Sequence, residues 1–300
     1  LNFTKHFVFT IIFLGTVLVG VGQRSNITIG TAATSGGSWS PALGNYNTTY
    51  TFTPNQNNAT INVAELYSIL YNYYSNVTIT TTLASGTQVG QVDIGAAITG
   101  DLNSSNPRTF TINAAGDINV NQSIKLANSN SSYNYSNTHS LVLTTTLGNL
   151  NISAPISTQH PVVNYYGQLY PYYSGNITLS AVSGTISMSV LGTLDVSGTQ
   201  NSYGSYNWDG SGGQISLTAL NIKGASAISS TSRQSNSYYG NISVTNTNTS
   251  VDANNAGISG VITGNGFTKG GVGVLKLSAT NTWVGTTTIS GGTLQLGTGT

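Results

Sequence analysis

The chain has 300 residues, of which only 5% are charged, against roughly 25% in an ordinary soluble domain. A net charge of +1, from 8 Lys and Arg against 7 Asp and Glu, provides no basic patch for nucleic acid, and the lack of cysteine rules out disulfides and thiolate metal sites. Water-facing helices lean on Lys, Glu and Arg, so a surface built from Asn, Ser, Thr and Gly predicts an all-β chain, as does the abundance of Thr, Val, Ile and Tyr.

At the N-terminus, Lys5 and His6 precede an apolar run from Phe7 to Val21, and Gly20 and Gly22 give the small-x-small pattern of a signal-peptidase site. Thr10 and Thr16 interrupt the run, which falls short of the ~18 to 20 unbroken apolar residues that a membrane span prefers. Residues 1–22 therefore read as a cleaved signal peptide and residues 23–60 as an N-terminal strand or cap region. Next, Leu66, Ile69 and Leu70 fall at helical spacing within Val63–Leu70, which predicts one short amphipathic helix.

From there the chain repeats itself. Alternating segments begin at Asn76 (NVTITTTL), Arg108 (RTFTINAAGDINVNQSI), Ser140 (SLVLTTTLGNLNISAPI), Gly175, Gly212 and Gly240, roughly 27 to 38 residues apart. Each unit runs strand, short turn, second strand, then an Ile or Leu that closes a third. One unit is too thin to bury its own apolar face, whereas stacked units share a continuous column. An antiparallel sandwich would carry frequent hairpin signals, yet Asn265-Gly266 is the only Asn-Gly. The pattern thus predicts a parallel β-helix over residues 61–263, with the short helix as a lid on its open end.

Five stretches rich in Tyr, Asn and Ser lie just before strands: residues 71–74, 131–139, 164–173, 201–210 and 233–240. In a solenoid with about 4.8 Å per rung they would lie one above another along an edge. Tyrosine offers large rigid contact area, and Ser, Gly and Asn offer adaptable hydrogen bonds. Tyr165, Tyr166, Tyr170, Tyr172, Tyr173, Tyr203, Tyr206, Trp208, Tyr238 and Tyr239 are the candidate ligand-binding residues. The alternative is architectural, with the rings covering apolar edges, and the two roles are compatible.

Signals of catalysis are thin. His139 and His160 sit in or beside loops with no Gly-x-Ser-x-Gly elbow anywhere. Glycoside hydrolysis needs paired carboxylates, and Asp93 and Asp117, at similar places in successive units, are the one pair whose positions allow stacking. For Asp117, within Gly-Asp-Ile, a turn-forming carboxylate is the cheaper explanation. The Gly270–Leu275 stretch begins like a calcium-binding repeat but has Leu275 where the ligand Asp belongs. The sequence therefore predicts no enzyme, metal or cofactor.

The last 37 residues, 264–300, complete the reading. Gly264, Gly266, Lys269, Gly271, Gly273, Leu275, Leu277, Asn281, Gly285, Thr288, Ser290, Gly291, Gly292, Leu294 and Leu296 give this segment a resemblance to the passenger-associated strand repeat of autotransporters. The AAGDINV and NLNISAPI units upstream resemble the repeats of filamentous-haemagglutinin-like exported proteins. The resemblance implies a right-handed parallel β-helix, exported to the surface of a Gram-negative bacterium or secreted from it. It further implies an adhesin-like role toward a host or environmental glycan, matrix or another cell surface, and an outer-membrane translocator beyond residue 300. Alternatives are a purely structural stalk and a polysaccharide-active enzyme.

Overall fold

The computed structural model describes residues 23–83, 86–101, 107–127, 139–159, 163–165, 168–170, 173–198, 212–231, 240–250, 252 and 255–297. The segment read as a signal peptide, residues 1–22, lies outside them. Strand alternation decides what goes inward. In Ile177–Met188, Ile177, Leu179, Ala181, Ile186 and Met188 are buried, while Thr178, Ser180 and Ser187 face outward between them. The same strand turns a corner at Val182 and Ser183, both exposed, where its register shifts.

Repeating that turn gives a parallel β-helix with three faces. On the first face, Tyr50, Val77, Phe110, Leu141, Ile177, Ile215, Ile242 and Phe267 stack in direct register, one per coil. On the second face, Ile61, Ile29, Ile94, Val120, Ile152 and Met188 do the same. On the third, Ile98, Ile124, Ile156, Leu194, Ile228 and Ile262 form the column. These side chains form one continuous buried core along the axis. Each contributes on the order of 1.5–3 kcal/mol of burial, which is why a thin unit gains stability only by stacking.

The N-terminal end is built differently. Gly37–Ser40 pairs antiparallel with Thr49–Pro54, and Trp39 packs edge-on against Phe52 at 5.2 Å. Ile27–Gly30 inserts in parallel between Ala59–Asn62 and Val92–Ile94 as an added rung of the second face. The helix Val63–Tyr71 takes the third-face position of the first coil and packs against Ile98–Asp101. It buries Leu66, Ile69 and Leu70, the three residues whose spacing predicted it. Asn62 caps it, accepting the Ala64 N–H at 2.9 Å and the Glu65 N–H at 3.3 Å, and the Trp39 indole N–H donates to Glu65.

Candidate functional site

The tyrosine-rich stretches rejoin the solenoid at one corner. Just inside it, an outward ladder links successive coils: the Thr109 N–H donates to Asn76 Oδ1 at 2.8 Å, the Asn176 N–H to Ser140 Oγ at 3.2 Å, and the Gln214 N–H to Asn176 Oδ1 at 2.8 Å. One residue earlier the chain must pass close to its neighbour. A Cβ on Gly175 would lie 1.8 Å from the His139 carbonyl oxygen, and one on Gly213 would lie 2.0 Å from that of Gly175. The loop bases are closed by hydrogen bonds, from the Thr158 hydroxyl to the Gly175 carbonyl at 2.7 Å and from the Gly213 N–H to the Val196 carbonyl at 2.8 Å. The loop roots therefore stack from coil to coil.

Of the candidate residues, Tyr165 and Tyr170 lie on a small antiparallel hairpin, Val163–Tyr165 with Gln168–Tyr170, outside the solenoid sheets. The stretch before Asn176 is thus in part a hairpin rather than a plain loop. Tyr173 is half-buried at the root. Tyr166, Tyr172, Tyr203, Tyr206, Trp208, Tyr238 and Tyr239 lie outside the described residues, as does His160.

The stretch at 71–74 is described, and it brings in residues that the sequence did not mark. Tyr73 meets Tyr46 edge-on at 5.7 Å, Tyr46 and Tyr74 lie 6.4 Å apart, and the buried Tyr50 is 6.0 Å from Tyr73. The Arg108 guanidinium sits 5.8 Å from the centre of the Tyr74 ring and donates to Asn47 Oδ1 at 3.4 Å. Burial lowers the Arg108 pKa, and Tyr74 acts in the opposite direction. Neither Tyr46 nor Tyr50 is in a tyrosine-rich run, so local composition had no signal for them.

At the other end, the glycines of the last coils are close approaches too. A Cβ on Gly285 would lie 1.5 Å from the Asn265 carbonyl oxygen, and one on Gly273 would lie 2.4 Å from that of Asn248. Gly271 and Gly292 have φ of 73° and 67°, a region open chiefly to glycine. Lys269 occupies an inward first-face position, continuing the column of Val244, and is fully buried. Its ammonium donates to the carbonyls of Gly270, Gly271 (3.1 Å) and Gly291 (3.3 Å), tying two turns together. Trp283 stacks on Phe267 at 4.8 Å.

Residues 267–296 match the family model of the passenger-associated-transport-repeat. They form an autotransporter passenger repeat. No curated protein and no solved structure matches the chain. The repeat marks an exported passenger, secreted from a bacterium or held at its surface, and points to a structural rather than catalytic role.

The carboxylates of this passenger do not pair as their sequence positions would allow. Asp93 stacks on Asn119, whose amide donates to it at 2.7 Å, and Asn151 continues that ladder at 2.8 Å. Asp117 sits at the corner before the strand, where Oδ1 accepts the Asn149 N–H at 2.7 Å. Asp93 and Asp117 thus occupy different ladders, and Asp117 takes the turn role that its Gly-Asp-Ile context favours. The buried His139 accepts the Arg108 backbone N–H through Nδ1 at 3.1 Å. Among the described residues no group of three or more His, Cys, Asp or Glu is placed to hold a metal.

Proposed function

We propose that this passenger works as an adhesin of a Gram-negative bacterium, displaying its Tyr/Asn-rich loops in a row toward a host or environmental glycan, a matrix protein or another cell surface. Stacked loop roots carry the reading. Because Gly175, Gly213 and the Asn76, Ser140 and Asn176 ladder hold the loop bases in register, loops with weak individual contacts act together on one extended target. Tyrosine beside amides suits such a surface, combining rigid rings with adaptable hydrogen bonds. Export through an outer-membrane translocator belongs to the same proposal, supported by the passenger repeat at 267–296.

The test is binding of the full chain to a glycan array and to immobilised matrix proteins. It is run beside a variant in which Tyr165, Tyr166, Tyr170, Tyr172, Tyr173, Tyr203, Tyr206, Tyr238 and Tyr239 become Ser. The expected result is binding by the parent that the variant loses while its β circular-dichroism spectrum stays unchanged. Equal binding by both, or none by the parent, would make the loops a covering on a structural stalk.

A further inference from the structure

The best-defined aromatic surface of this protein is not in the long loops. Tyr46 is 61% exposed and Tyr74 40% exposed, both large for rings that belong to a packed cluster. Their support is rigid. Tyr50 is fully buried, and its phenolic oxygen accepts the N–H groups of Gly44 at 3.1 Å and Asn45 at 2.7 Å while donating to the Asn45 carbonyl at 2.8 Å. The Asn47 N–H then donates to the Tyr73 carbonyl at 2.9 Å, joining the segment that carries Tyr46 to the one that carries Tyr74.

Tyr74 itself has φ of 49°, a left-handed conformation that a bulky side chain rarely adopts and that Gly or Asn would take more easily. Strain of this kind persists where surrounding structure over-determines it and collects at binding sites. Here the ring is held by the Arg108 guanidinium at 5.8 Å and by Tyr46. Tyr46 and Tyr74 are 6.4 Å apart and inclined to each other by 39°, so the two rings do not stack face to face. Asn45 and Asn72 are exposed on the same two segments.

We propose that Tyr46 and Tyr74 form a preorganised platform that takes a neutral pyranose ring of a glycan, stacking its apolar C–H face on the exposed rings with hydroxyls donating to Oδ1 of Asn45 and Asn72, whose Nδ2 groups donate to the Ala42 carbonyl and to Ser68 Oγ. The proposal rests on the adhesin reading for its biological sense, but its residues are distinct from the tyrosines substituted in the loop variant. Tyr73 and Tyr50 brace the platform, and Arg108 positions Tyr74 from behind. Aromatic contacts of this size change affinity by about tenfold per ring.

The experiment is isothermal titration of the full chain with cellohexaose, chitohexaose and mannohexaose, repeated on Tyr46→Ser, Tyr74→Gly and the loop-tyrosine variant. Tyr74→Gly is chosen because glycine accepts the left-handed backbone, so the ring is removed without a new clash. Expected is binding of at least one hexasaccharide by the parent, weakened about tenfold in each single variant and retained in the loop variant. Loss in the loop variant with full retention in Tyr46→Ser and Tyr74→Gly would overturn the platform and leave the adhesin reading standing. No hexasaccharide binding by a parent that still binds matrix protein would overturn the platform alone. No binding of any kind would overturn both.

Discussion

A single methyl group shows how closely the coils approach at the loop roots. On Gly213 it would lie 2.0 Å from the Gly175 carbonyl oxygen, which is fixed by its own hydrogen bond from Thr158 and has nowhere to go. Gly213→Ala is therefore expected to lose about 1–3 kcal/mol, measured as a lower urea midpoint. Gly30→Ala is the control, since its Cβ would meet nothing nearer than 3.8 Å, and it should fall within about 0.5 kcal/mol of the parent. Equal effects at the two sites would mean that the stacked roots yield freely. At this scale the sequence was readable where residue types recur at equivalent places, as with the glycines ahead of Asn176, Gln214 and Asn241. It was silent at Tyr74, because nothing in Tyr-Asn-Tyr-Tyr announces a left-handed backbone, and at Tyr50, whose ring neighbour Tyr73 lies a coil further along the chain.

Elements were legible in proportion to how local their causes are. Leu66, Ile69 and Leu70 face the core because helical spacing leaves them no other side, and alternation assigns Ile177, Leu179 and Ala181 inward for the same reason. What alternation does not encode is partnership. Ile27–Gly30 looks like any short strand, yet it threads between Ala59–Asn62 and Val92–Ile94, a choice made by distant chain. Asp117 was legible as a turn residue from Gly-Asp-Ile alone, whereas the Asn119 that stacks on Asp93 is set by coil register. The terminal repeat, by contrast, was readable by its resemblance to a known repeat, in which Gly273 and Gly285 meet close carbonyls and Lys269 ties two turns together. Lys269 gives that repeat a pH signature. Burial lowers its pKa from 10.5, so between the lowered value and 10.5 the unfolded chain binds more protons than the folded one. Stability contributed at this site must rise with pH through that window, with the full penalty present below it. Lys269→Met should abolish this slope, because it removes the group that titrates in that window. Urea midpoints of both proteins from neutral pH to 10.5 check it; parallel curves would mean that the ammonium is hydrated.

Over the whole molecule, stability should follow position along the axis. Each coil bonds to the one before and the one after, so the solenoid behaves as a one-dimensional stack in which interior coils have two partners and end coils fewer. At the N-terminal end of the described solenoid the antiparallel strand Gly37–Ser40 occupies the edge of Thr49–Pro54, and the helix Val63–Tyr71 fills the third side. Amide hydrogen exchange should therefore be slowest in Ile177–Met188 and Ile215–Gly224, whose strands pair on both sides, and faster by orders of magnitude in Gly37–Ser40, which among the described residues pairs with Thr49–Pro54 alone. Substitution sharpens the contrast. Leu217→Ala in the interior, fully buried, should cost about 2–5 kcal/mol, whereas Leu191→Ala, at a turn where the side chain is 71% exposed, should stay within about 0.5 kcal/mol. Uniform protection along the chain would instead require all the coils to open together, and the continuous inward columns would then have to couple rungs far more strongly than nearest-neighbour stacking does.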